Sequence, residues 1–213
     1  MEQTDKAKTR RTQAERRATT RQALLDATVE LIIEIGYAAT TTTLVSKRAG
    51  VSQGALFNHF ETKSALVAAA TEQLFERLIT DFRDAFVDMP EGDERVVWAV
   101  RKLWEVFQAP ELRAAYALYT AAAADAELAK AIRPVVERHN RNVDDIAATL
   151  FPEIAESPEL FALLDIVVFS MQGVMFESAA YANPERQQRM LAQLENLGRL
   201  AIAIAPKKSQ HSG

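Results

Sequence analysis

The sequence predicts an all-α protein, with a three-helix N-terminal unit followed by a larger helical body. Three observations carry that prediction. Glycine is nearly absent outside the segments that read as turns, and the seven prolines fall at spaced positions. No stretch of any length alternates apolar and polar residues as a half-buried strand does. Apolar residues instead recur every three or four positions, the spacing that lines one face of an α-helix.

The first helix is expected over residues 20–35, with Leu24, Ala27, Thr28, Leu31, Ile32 and Ile35 on one face and Gly36-Tyr37 as its exit. A short helix over 42–48 follows. Thr41 is a good N-cap for it, and Ala49-Gly50 closes it where glycine supplies the conformation of a sharp turn. Ser52 caps the next helix, over 52–59, with Val51 and Leu56 packing inward. Glu61-Thr62-Lys63 opens a longer helix with the stripe Leu66, Ala69, Ala70, Leu74, Leu78 and Phe82, ending near Asp88 because Pro90 disfavours helix in the residue before it. Helices over 91–107, 110–124 and 125–150 come next, with Pro134 marking a kink or a join in the last. Phe151-Pro152 and Ser157-Pro158 bracket a loop, Ser157 as N-cap and Pro158 at the first helical position. Two final helices are expected over 158–181 and 184–205, leaving residues 206–213 as a polar tail.

Composition narrows the function. With 48% hydrophobic and 25% charged residues the chain is an ordinary globular protein rather than a disordered one. It has no cysteine, which excludes disulfides and thiolate metal sites. The histidines are only His59, His139 and His211, and no metal or other cofactor is assigned. No uninterrupted apolar run approaches the roughly 20 residues that span a bilayer, and the basic N-terminus lacks a signal-peptide core, so a cytoplasmic location is expected. No convergent set of titratable groups points to an enzyme. Asp125, Glu127, Glu137, Asp144, Asp145, Asp165 and Glu177 read as helix surfaces, Asp165 and Glu177 less clearly because apolar residues surround them.

The net charge of −4 is unevenly divided. Residues 1–64 hold ten lysines and arginines against seven carboxylates, a net of +3, so the remainder carries −7. A basic front on an acidic body focuses attraction for phosphate at one end. The basic residues of 1–17 are expected to form a flexible arm that reaches phosphates or a minor groove.

Residues 41–60, TTTLVSKRAGVSQGALFNHF, read as two short helices around a tight turn, the geometry of a helix-turn-helix. Together with Arg21, Leu24, Leu25, Ala27, Leu31, Gly36-Tyr37, Thr40, Lys63 and Leu66, they closely resemble the DNA-binding domain of the TetR family of bacterial transcriptional regulators. The match covers roughly residues 18–78, leaving 79–205 as the family's divergent ligand-binding and dimerisation domain. The resemblance implies that 52–59 is the recognition helix and 42–48 the supporting one.

Candidate DNA contacts are Thr41, Thr42, Ser52, Gln53, Gly54, Ala55, Phe57, Asn58, His59 and Lys63. Gln53 leads for base contact because its amide both donates and accepts toward adenine. Ala55 suits a thymine methyl, Gly54 a close backbone approach, and Asn58 a base or a phosphate. Thr41 and Ser52 either cap their helices or touch phosphate, and His59 contacts phosphate or packs against its neighbour. Lys63 puts a cation at a helix start, where the dipole slightly disfavours it, which favours a functional role over a stabilising one. Phe57 stands where the family usually has tyrosine, so a hydroxyl bond to phosphate is lost.

The resemblance also implies a homodimer through helices 158–181 and 184–205, a near-palindromic double-stranded DNA operator and a small apolar or amphipathic effector. The apolar circumference of 158–181 independently supports burial on several sides. Trp98, Trp104, Phe107, Tyr116, Tyr119, Phe169, Gln172 and Phe176 are the candidate effector pocket. The expected function is a repressor released by its effector, the alternative an architectural or partner-tethering DNA-binding protein without effector control.

Overall fold

A computed structural model describes residues 12–92, 94–152, 154–156 and 158–204. The basic residues of 1–11, the expected cap Ser157 and the tail 206–213 lie outside the described residues. Among the described residues the protein is helical, in the order α1 (Gln13–Ala39), α2 (Thr42–Ala49), α3 (Gln53–Phe57), α4 (Lys63–Ala85), α5 (Glu94–Phe107), α6 (Pro110–Ala122), α7 (Ala126–Leu150), α8 (Pro158–Ser178) and α9 (Pro184–Ile204).

Helix α1 begins well before the expected residue 20. Thr12 and Glu15 form a reciprocal capping box: Glu15 N–H donates to Thr12 Oγ1 at 3.2 Å and Thr12 N–H to Glu15 Oε2 at 2.7 Å. Residues 13–17, expected as part of a flexible arm, are therefore helical, and Arg16 and Arg17 sit at fixed, exposed positions. Gly36 interrupts the helix at φ 77 and ψ 167, and a last turn follows before Thr40 N–H closes it on the Gly36 and Tyr37 carbonyls. Gly50, at φ 67 and ψ 30, ends α2 in the left-handed conformation that only glycine takes cheaply. Helix α3 spans five residues and is shorter than expected, because Asn58 and His59 lie in the turn that leads to Phe60.

Two apolar cores result. Leu24, Leu25, Ala27, Leu31, Val45, Leu56, Phe60, Leu66 and Ala70 close the N-terminal head. A larger core runs through the body and includes Leu74, Phe75 and Leu78 of α4, so this helix belongs to both. Pro134 does not divide α7, which passes through it as one helix packed along α4.

Helix α8 has a mean hydropathy of 1.7 over Leu160–Ser178, long and apolar enough by composition to cross a membrane. It turns Leu160, Val167, Met171 and Met175 into the core, yet Ile166, Phe169 and Phe176 stay 50%, 66% and 41% exposed. Leu197 and Leu200 of α9 are exposed as well, so the α8–α9 layer carries apolar side chains on both sides.

Candidate nucleic-acid interface and body cavity

The two short helices of the head are held by side-chain caps. Thr41 Oγ1 accepts from Leu44 N–H at 3.2 Å, Ser52 Oγ from Ala55 N–H at 3.1 Å and Thr62 Oγ1 from Ala65 N–H at 3.0 Å. Each hydroxyl satisfies one amide of its first turn, and the earlier amides of α2 and α3 have no acceptor within their helices. Those N–H groups and the positive ends of the helix dipoles suit phosphate.

Gln53, Gly54, Phe57 and Asn58 are exposed on α3 and its exit, with Thr41 and Ser52 exposed at the caps; Thr42, Ala55, His59 and Lys63 are half-buried. The Gln53 amide donates to Thr43 Oγ1, a residue absent from the expected set, and this bond holds the glutamine across the two helices. Leu44 is a second exposed neighbour, 39% accessible beside the caps. His59 meets α1: burial, then the charges of Arg17 and Arg21, hold its pKa below the usual histidine value. Arg21 also lies 5.5 Å over the Phe60 ring. Both arginines fall four residues apart on α1, a spacing visible in the sequence once the helix is known to start at Gln13.

Two basic residues of the head are engaged by partners within the chain, Arg48 at the surface and Lys63 half-buried. Arg48 pairs with Glu34 at 2.7 Å and Glu30 at 3.1 Å, which holds its guanidinium firmly protonated. Lys63 Nζ donates to the Tyr37 carbonyl at 3.0 Å and sits 4.0 Å over the Tyr37 ring. The ammonium therefore caps the carboxyl end of α1, a stabilising role that the expectation ranked second. Burial lowers the Lys63 pKa, opposed by the charge of Asp125.

The same tyrosine ties head to body. Tyr37 donates its hydroxyl to Asp125 Oδ2 at 2.7 Å, while Asp125 Oδ1 accepts from Leu128 N–H at 2.9 Å as the N-cap of α7. Burial, then the Asp125 hydrogen bond, push the tyrosine pKa up to about 12.

Within the body, a cavity of about 290 Å³ opens among α4, α5, α6, α7 and α8. Phe107, Tyr116, Tyr119, Phe169 and Gln172 of the expected set line it. The other three lie elsewhere: Trp98 meets the Phe86 ring edge-on at 5.0 Å, Trp104 is buried in the core, and Phe176 is largely exposed on α8. Helical spacing does not distinguish a ring facing a void from one facing another side chain.

Beyond Gln172 and the two tyrosines, the expected set leaves out the polar lining. His139, Asn140 and the half-buried Asp144, expected on a helix surface, reach the cavity from α7, and Asp165, exposed as a surface residue is, borders it from α8. His139 stacks on Phe75 at 3.9 Å and 12°, its Nδ1 buried without a hydrogen-bond partner among the described residues, and burial pushes its pKa down to about 4. Asp144 is shifted the other way, above its usual value, by burial and then by Asp165 and Asp145. A second, almost wholly apolar cavity of about 100 Å³ shares Phe82, Leu103, Val143 and Leu164 with the first.

Known proteins share this arrangement. Residues 24–70 match the model of bacterial regulatory proteins of the tetR family. An uncharacterized HTH-type transcriptional regulator of Mycobacterium tuberculosis is 30% identical over 192 residues, covering 88% of this chain and 96% of the relative. The chain belongs to the TetR family. The HTH-type transcriptional regulator CymR of Pseudomonas putida is 29% identical over 182 residues, 85% of this chain and 90% of CymR. Among solved structures, a transcriptional regulator from a Rhodococcus species superposes with a TM-score of 0.61 at 19% identity, over 87% of this chain and 95% of that one. The multidrug binding protein EbrR complexed with ethidium gives a TM-score of 0.59 at 23% identity, over 82% and 98%. This TetR-family chain is a DNA-binding transcriptional regulator and not an enzyme.

Proposed function

We propose that this regulator is a cytoplasmic repressor that grips a near-palindromic operator as a homodimer and lets go when a small molecule occupies the body cavity. One observation carries the reading: α4 lends its first turn to the head and its Leu78, Ile79 and Phe82 to the cavity wall. A ligand that needs a different cavity shape biases the helix from which the reading head hangs. The Tyr37–Asp125 bond adds a second link, through α7. EbrR, complexed with ethidium, is a structural neighbour in which a small molecule is bound.

The head through residue 78 reads DNA with α3, and the body from 79 onward binds ligand and a second copy. Ile166, Phe169, Phe176, Leu197 and Leu200 supply the apolar face for that second copy. An architectural DNA-binding protein without effector control has no use for a polar-lined cavity touching α4.

The test is operator selection from genomic fragments, followed by binding curves at several salt concentrations. Gln53→Ala should cost about 1–3 kcal/mol at the selected site and little on random DNA. Arg21→Ala should weaken both and lower the salt slope by about one. Failure to select any fragment at low salt, or salt-independent binding, overturns the DNA reading. A Gln53→Ala loss equal on both DNAs removes Gln53 as a base reader.

A further inference from the structure

The cavity walls and the cavity charges point in different directions, and the combination defines a class of ligand. Phe107, Tyr116, Tyr119 and Phe169 present aromatic surface. Among the described residues, the only formally charged groups lining the cavity are Asp144 and Asp165, with no lysine or arginine beside them. Neither carboxylate forms an ion pair among the described residues. His139 offers no compensating charge, because burial keeps it neutral at neutral pH. Asp144 is half-buried beside the exposed Asp165, and its pKa is raised first by burial and then by the charges of Asp165 and Asp145.

We propose that the effector is an organic cation with an aromatic or apolar body, held with its positive charge against Asp144 and Asp165. This deepens, and rests on, the reading of the cavity as the effector site. A cation relieves the repulsion between the carboxylates, while the rings receive its apolar body and add cation–π attraction. An anion meets two like charges, and a neutral ligand leaves the pair uncompensated. A bare metal ion is a poorer fit. Among the described residues no three histidine or carboxylate groups converge to hold one, and about 290 Å³ approaches the size of a small-molecule site.

Calorimetric titration of the full chain with three small probes tests the proposal: phenyltrimethylammonium, its uncharged isostere tert-butylbenzene, and benzenesulfonate. The cation should bind about tenfold or more tighter than the isostere, and the sulfonate weakest. Asp144→Asn and Asp165→Asn should each shrink that preference and the double variant should abolish it, with tert-butylbenzene affinity unchanged. The double variant should melt no lower than the parent, since it removes a repulsion. Val168→Trp, which fills the cavity from α8, should remove binding of the cation and the isostere together.

Equal affinity for cation and isostere, or a cation preference that survives the double substitution, overturns the charge assignment and leaves the cavity reading standing. Binding of neither cation nor isostere, or cation binding that persists in Val168→Trp, overturns the cavity reading with it.

Discussion

The head and the body solve opposite packing problems. In the head, Leu24, Leu25, Val45 and Leu56 are all 1% exposed or less, while Gln53, Gly54, Phe57 and Asn58 are exposed. In the body, five helices stop short of filling the space between them, and the useful groups, His139, Asp144 and Gln172, point inward. A groove reader must hold two short helices at one angle, and tight packing around a five-residue helix does that. A ligand switch needs room and a polar lining, at the expense of contacts that a filled core keeps.

Truncation on either side of that contrast gives the largest expected effect. Leu56 is fully buried in the head, so Leu56→Ala should cost about 4 kcal/mol, the transfer energy of the lost methyls plus that of a new void. Leu103 lines both body cavities, and its side chain already faces empty space. Leu103→Ala should therefore cost about 1–2 kcal/mol, because fewer contacts are there to lose. Urea midpoints at constant slope measure both. Equal costs would show that the body is packed as tightly as the head.

The same contrast explains what was legible in the sequence. The head is written locally: Thr41, Gly50 and Ser52 fix helix ends within a few residues of themselves, and the structure has each in that role. The start of α1 was harder, since Thr12 and Glu15 form its capping box in a charged stretch with no apolar face to mark a helix. The cavity is non-local. Asp144 and Asp165 lie on different helices, each with the look of a solvated face, and only the packing of α7 on α8 brings them to one void. The Lys63 contact was hidden for a related reason: its partner Tyr37 is distant in sequence and offers a backbone carbonyl, which no residue pattern announces.

Acidification should separate the two regions next. Burial holds the His139 pKa at about 4, against about 6.5 for a histidine in water, so on acidification the unfolded chain binds this proton first. Stability from this residue is fully present above about pH 6.5 and falls as the pH drops toward 4, by at most about 3 kcal/mol. His59 in the head shifts in the same direction but is only lightly covered, and contributes less. Stability measured against pH for the parent and for His139→Phe, which keeps a ring on Phe75, isolates the term. The parent should lose stability relative to the variant across that window. Parallel curves would mean that His139 is solvated in solution and that the cavity is wetter than its lining suggests.

The smallest effect concerns charge at the head's surface. Arg48 was counted with the basic front, yet its guanidinium is occupied by Glu34 and Glu30. All three side chains are well exposed, so the attraction is screened by water and salt, and Arg48→Ala should barely move the denaturation midpoint. Its effect on DNA should be equally slight. A guanidinium already neutralised by carboxylates displaces few counterions from a phosphate, so the salt slope of binding should stay at the parent value. Among the described residues Arg21 forms no such ion pair, and it lies over the Phe60 ring beside His59, which is why its removal should flatten the slope while that of Arg48 does not. If Arg48→Ala flattened it as much as Arg21→Ala, the two glutamates would have to release the arginine on binding. The DNA-facing surface of the head would then extend past the caps of α2 and α3 to the far end of α2.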